Sequence, residues 1–227
     1  NEELVMRKIL FNTLSAVAAL TFSAGALAQV VGSNHDMTAQ FTAGNLSGGF
    51  NSTGQVCIYC HIPHEATAAA APLWNRDATG ATYTMYDSTW SSTIDMTVAG
   101  TPQGVSAACL GCHDGTVAVD ALHNQPWAGP GQFWTSDGTL TLAASFANVG
   151  TNLTDDHPIS VTYDNADDDE FYAIATVKAA ELPFFGTGAD QLECGTCHDV
   201  HYQGFAANES LRVDPAGSQL CLTCHIK

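Results

Sequence analysis

The chain has 227 residues, with 23 acidic against 6 basic and a formal net charge of −17. So acidic a surface excludes nucleic acid, whose phosphates need a positive face; it disfavours anionic membranes and favours cationic partners and oxidised metal ions. Large aliphatic side chains are sparse and alanine-rich stretches such as 66–71 are common, so something other than side chains must help fill the interior.

Residues 1–28 read as upstream residues and a secretory signal. Met6-Arg7-Lys8 is a short basic start, 9–24 is apolar, and Ala26-Leu27-Ala28 offers a cleavage site before Gln29. The apolar part is short for a span of ~20 residues and is interrupted by Asn12, Thr13 and Ser15. The mature chain is therefore expected to be exported, with no membrane span of its own. Its place is extracellular or on the outer cell surface, with the periplasm as the alternative. Two acidic and two basic residues precede Gln29, leaving 21 against 4 and the same net −17. Export puts the cysteines in an oxidising compartment.

All eight cysteines fall in four copies of Cys-x-x-Cys-His: Cys57, Cys60 and His61; Cys109, Cys112 and His113; Cys194, Cys197 and His198; Cys221, Cys224 and His225. This is the attachment pattern of c-type haem, in which the two thiols bond the porphyrin and the histidine becomes the proximal iron ligand. Zinc sites and redox dithiols also use Cys-x-x-Cys, but neither needs a histidine straight after the second cysteine. The expected cofactor set is four covalently attached haem c groups with their iron. Four in about 200 residues is about 50 residues each, a size that needs covalent or metal staples. The expected fold is thus mostly irregular coil with short helices and few strands, organised around four stacked haems.

Distal ligands follow from counting. Nine histidines less four proximal ones leave His35, His64, His123, His157 and His201. His64 follows His61 by three residues and leaves on the proximal side, so it cannot turn round the macrocycle to the same iron. It is expected to ligate another, held within about 11 Å by the chain. His198 and His201 repeat the arrangement. The chain reads as a loose duplication: a dihaem module over 29–125, a connector carrying a distal histidine over 126–193, and a second dihaem module over 194–227. Each half supplies two distal histidines, His35 and His64 in the first, His157 and His201 in the second. His123 has no counterpart. Met37, Met85 and Met96 are the alternative ligand type.

Within the connector, Trp127, Phe133 and Trp134 are candidates for stacking on porphyrin or for ordinary core. Ile159, Val161 and Tyr163 alternate with polar residues as one short strand, and 171–182 reads as a helix. Asp164, Asp167, Asp168, Asp169 and Glu170 precede it, as a solvated helix start or a calcium site without a recognisable loop pattern.

Gly32-Ser-Asn-His-Asp36, Cys-x-x-Cys-His-x-Pro-His with Pro72-Leu-Trp-Asn-Arg76, Cys109-Leu-Gly-Cys-His-Asp-Gly-Thr-Val-Ala118 and Asp155-Asp-His-Pro-Ile-Ser160 resemble the exported multihaem cytochromes with doubled Cys-x-x-Cys-His motifs. More narrowly, the chain is similar to the tetrahaem outer-surface cytochromes of metal-reducing bacteria that polymerise into nanowires. That resemblance implies bis-histidine haems in a continuous stack, His35, His64, His157 and His201 as distal ligands, and one of them donated to the neighbouring subunit.

The expected function is electron transfer, not catalysis, since an iron with two histidines has no position for substrate. The expected partners are copies of itself in a head-to-tail filament, redox proteins and extracellular metal acceptors. A monomeric periplasmic shuttle and a multihaem reductase with one open haem are the alternatives.

Overall fold

The computed structural model describes residues 29–42, 55–67, 72–125, 127–129, 132–133, 141–202 and 210–226. The expected signal segment and Trp134 lie outside the described residues. Regular structure is sparse and short. Chain order gives α1 (Met37–Thr42), a 3-10 turn (Val56–Tyr59), β1 (Thr97–Val98), α2 (Gly104–His113), β2 (Trp127–Gly129) and β3 (Gln132–Phe133). Then come β4 (Val161–Thr162), α3 (Ile174–Ala179), β5 (Gln191–Leu192), α4 (Cys194–Cys197), a 3-10 turn (Ala216–Ser218) and α5 (Gln219–Cys224). Among the described residues no helix is long and apolar enough to cross a membrane.

The strand expected around Val161 is present as β4, only two residues long. It is central in an antiparallel sheet ordered β1-β4-β5, with Val161 opposite Val98 on one side and Leu192 on the other. Val161 and Tyr163 are buried, as alternation requires. β2 and β3 pair as a separate hairpin.

The helix expected over 171–182 is shorter than its apolar pattern. Phe171 is bridged to His225 and the Tyr172 amide donates to the Cys224 carbonyl, so this stretch is extended and serves the last Cys-x-x-Cys-His. The helix begins only at Ile174 and ends before Glu181, whose φ of 66° is left-handed. The acidic cluster thus precedes extended chain instead of a helix N-terminus. Two of its carboxylates are taken up locally, Asp164 by the Ala166 amide and Asp168 by the Glu170 amide. Among the described residues no three His, Cys, Asp or Glu side chains converge on a metal-sized point.

Among the described residues, buried apolar side chains form three small clusters. One joins Met96, Val161, Tyr163, Val177, Leu182, Phe184 and Leu192. Another is Tyr59 with Leu122, against which Met37 packs, and the third is Met85, Leu110 and Leu153. The three methionines are therefore core or core-edge side chains. Among the described residues no single apolar core joins these clusters, in keeping with the thin composition.

Polar hubs tie the clusters together. Ser160 donates to buried Glu193 at 2.9 Å and accepts from the Gln103 amide at 2.8 Å. Glu193 caps α4 reciprocally with Thr196, satisfying amides that a four-residue helix would otherwise leave open. The Cys194 amide donates to Ser106 of α2 at 2.9 Å. By these bonds the second and third Cys-x-x-Cys-His segments are held side by side.

Candidate functional site

Each Cys-x-x-Cys-His sits on one helical turn. The His61, His198 and His225 amides donate to the carbonyls of Cys57, Cys194 and Cys221 at 2.8, 3.0 and 2.9 Å. A turn closed in this way puts residues i, i+3 and i+4 on one face, which is why two thiols and an imidazole can meet one planar group. The helices then stop: His198 and His225 are extended, with ψ of 144° and 135°. All four proximal histidines are pinned to another segment. His61 bridges Trp74, His198 bridges Leu211 and His225 bridges Phe171, while the His113 carbonyl accepts from the Val149 amide at 2.7 Å.

None of the eight cysteines is in a disulfide, and their thiols run in sequence order. Burial, then neighbouring Cys112, push the Cys60 thiol up to about 12. The hydrogen bond that Cys109 donates to Cys194, with burial, holds Cys109 well above the ordinary thiol range. Burial, then Cys194 and Cys221, push Cys197 up to about 11. The first motif thus neighbours the second, the second the third and the third the fourth.

The histidines meet in pairs. Ring centres lie 6.0 Å apart for His35 and His113, 6.0 Å for His61 and His201, and 6.4 Å for His157 and His225. An iron held by two imidazole nitrogens at about 2 Å each sets ring centres about 6 Å apart. The ring tautomers agree. His61, His113 and His157 hold Nδ1 at 2.7, 2.8 and 2.9 Å from the carbonyl oxygens of Pro72, Ala147 and Pro158. A carbonyl can only accept, so Nδ1 carries the proton and Nε2 is left as the basic, ligating nitrogen. Burial, followed by His113, His198 and His201, lowers His35 from 6.5 to about 4, leaving it in the neutral form that ligates metal at pH 7.

Exposed apolar side chains flank these rings in sequence: Leu73 near Trp74 and His61, Phe146 before Ala147, Tyr172 and Ile226 beside the Phe171–His225 bridge, and Leu222 within the last motif. Trp74 lies 5.8 Å edge-on to His61, and Phe171 is 4.4 Å from His225. Paired imidazoles at iron-spanning distance, two unbridged thiols beside each proximal one and apolar surface around them fit haem c.

The structure sorts the expected ligands unevenly. The loose duplication gives each half its own distal histidines, but His61 of the first half faces His201 of the second. His64 is exposed, and its carbonyl accepts from Asn124 at 3.1 Å; neither His64 nor His198 belongs to the three 6 Å pairs. His123 stands apart, with Nδ1 2.5 Å from Asp77. Two residues that motif spacing did not single out belong to the site. Arg76 hydrogen bonds the Gly111 carbonyl and Arg212 that of Gly195, the glycines inside the second and third Cys-x-x-Cys. The stretch Pro72–Arg76 carried a sequence signal through the resemblance; Arg212 carried none.

Residues 187–227 match the doubled CXXCH motif family. No curated protein matches the chain. With the four motifs, this match supports a multihaem c-type cytochrome. Such motifs indicate covalently bound haem c and an electron-transfer role, and proteins of this type are typically exported.

Proposed function

We propose that the chain carries four haem c groups and passes electrons along them. The cysteine pairs 57/60, 109/112, 194/197 and 221/224 attach the groups. The irons would be held by His61 with His201, His113 with His35, His225 with His157, and His198 with His64. The observation that carries this reading is the 6.0–6.4 Å spacing of three imidazole pairs, each containing one proximal histidine. The fourth pair follows by reciprocity. His61 and His201 are opposite ends of two His-x-x-His segments, so antiparallel apposition brings His64 to His198, of its own chain or of the next copy.

Haem c supplies reversible one-electron exchange at iron. The protein supplies the rest. Two imidazoles on each iron would leave no position for a substrate, which favours a carrier over a reductase. Imidazole without methionine keeps the potentials low, and the net charge of −17 favours the more positive oxidised state. The sequence-ordered neighbours among the cysteines support a path that follows the order of the motifs.

The reading extends to assembly. The chain is a subunit of an extracellular conductive filament, joined head to tail and delivering electrons to redox proteins or extracellular metal acceptors. The resemblance supports this, as does the exposed apolar surface of Leu222, Tyr172 and Ile226 around the last motif. A contact between unlike faces that does not close yields an open filament. His35 lies against His113 of its own chain, which favours His64 over His35 as the ligand that would cross between copies.

His64→Ala tests the assignment. The expected result is one five-coordinate haem of four, seen as carbon monoxide binding by a quarter of the reduced haem, with loss of filaments in electron micrographs. Four low-spin haems in this variant would sink the ligand assignment. Intact filaments with one high-spin haem would place His64 within its own subunit.

A further inference from the structure

From Gln29 on the chain has four basic residues, and among those described Arg76 is the deeply buried one, 2% exposed. Its Nη1 donates to the Val119 carbonyl at 2.8 Å, and its Nη2 to those of Gly111 and Ala118 at 3.0 and 2.8 Å. These acceptors are neutral, and no carboxylate among the described residues pairs with it. Its Nε is buried without a hydrogen-bond partner and lies 3.9 Å from where a Cβ on Gly111 would stand. A buried, unpaired cation is costly, and three carbonyls answer only part of the cost.

Arg212 is the comparison. It grasps Gly195 of the third motif as Arg76 grasps Gly111 of the second, with Nε 2.9 Å from the carbonyl. But its Nη1 is 2.9 Å from Asp199, and both side chains are about a quarter exposed. One arginine is neutralised and partly solvated; the other is neither.

A fixed positive charge stabilises the reduced, less positive state of a nearby iron site, the more so away from water. We propose that Arg76 is a potential-setting residue: its uncompensated charge holds the haems of the first and second motifs at higher potential than the haem of the third. This rests on the four-haem reading above. Both Cys60 and Cys112 lie in the field of Arg76, and Asp114 opposes it at Cys112 alone. Asp114 is engaged by Tyr83 and Thr116 instead of Arg76. One electron leaving the reduced iron of the third motif oxidises it and reduces the iron of the second. No proton or leaving group moves, and the charge pattern drives this transfer toward the N-terminal half.

The test is a spectroelectrochemical titration of wild type, Arg76→Gln, Arg76→Lys and Arg212→Gln holoproteins, with covalent haem per chain measured by mass. In Arg76→Gln, two of four midpoints are expected to fall, the larger by about tenfold in the reduced-to-oxidised ratio, about 59 mV for one electron. Arg76→Lys stays near wild type and Arg212→Gln shifts less. Unchanged midpoints in fully loaded Arg76→Gln overturn the proposal. So does an Arg76→Lys shift as large, since hydrogen bonding and not charge would then be the cause. If Arg76→Gln does not mature, Arg76→Lys is titrated from pH 7 to pH 11. Two midpoints must fall as the lysine loses its proton, beyond any change in wild type, and their constancy overturns the proposal. Fewer than four covalent haems in the wild type would instead sink the reading on which it rests.

Discussion

The imidazole rings differ in how they face each other. His61 and His201 are near parallel, at 23°, while His157 and His225 are near perpendicular, at 81°. Perpendicular axial planes in an oxidised low-spin haem give a highly anisotropic paramagnetic resonance signal, and parallel planes a rhombic one. Both signals are expected from the holoprotein; rhombic features alone would contradict the His157–His225 geometry. His123 belongs to no such pair, so His123→Ala should leave four low-spin haems, checked by the visible spectrum. Asp36 positions His35 by accepting from the Gly32 amide at 2.9 Å, the Thr38 hydroxyl at 2.5 Å and the Ala39 amide at 3.1 Å. Asp36→Ala should destabilise by about 1 kcal/mol, as for loss of a helix cap, in denaturant unfolding. Burial works to raise the Asp36 and Asp114 carboxyls, but their hydrogen bonds outweigh it and hold both below the ordinary range. Their contribution is thus complete above the unfolded value of about 4 and is lost as pH falls through the lower folded values.

At the scale of elements, the contact that matters most to the path is α2 against α4, which carry the second and third motifs. Gly195 makes it close. A Cβ there would stand 2.9 Å from Phe185 Cζ and 3.0 Å from Val105 Cγ1. Gly195→Val should therefore cost about 1–3 kcal/mol by overpacking in thermal or chemical unfolding of the holoprotein, and a neutral result would mean that the helices sit further apart. Such elements were partly legible in sequence. Val161 and Tyr163 announced a strand by alternation, and each Cys-x-x-Cys-His implied a turn. The helix read over 171–182 failed at its start because Phe171 and Tyr172 pair with the distant His225 and Cys224, a competition that local periodicity does not contain.

At the scale of the whole molecule, the three small apolar clusters and short strands of the described residues give a chain of this length little to hold it together unaided. A variant with all eight cysteines changed to serine should show no cooperative thermal transition by circular dichroism; a sharp one would show that the polypeptide is its own core. The net −17 makes copies repel, so added salt should favour self-association and weaken docking to a basic redox partner. Sedimentation at low and high salt checks the first, and titration calorimetry the second.

The residue order by itself determined the chemistry: which thiols, which adjacent imidazoles and how many spare histidines there are, because covalent spacing of three and four residues is fixed by one helical turn. It also determined the acidity and the thin core, which are sums over composition. Only the tertiary structure decided which rings face each other, that His61 looks to His201 across the two halves, and that Arg76 is buried with no counter-ion among the described residues while Arg212 has Asp199. Those are relations between segments tens of residues apart, set by how the chain closes on itself, and no local pattern encodes them.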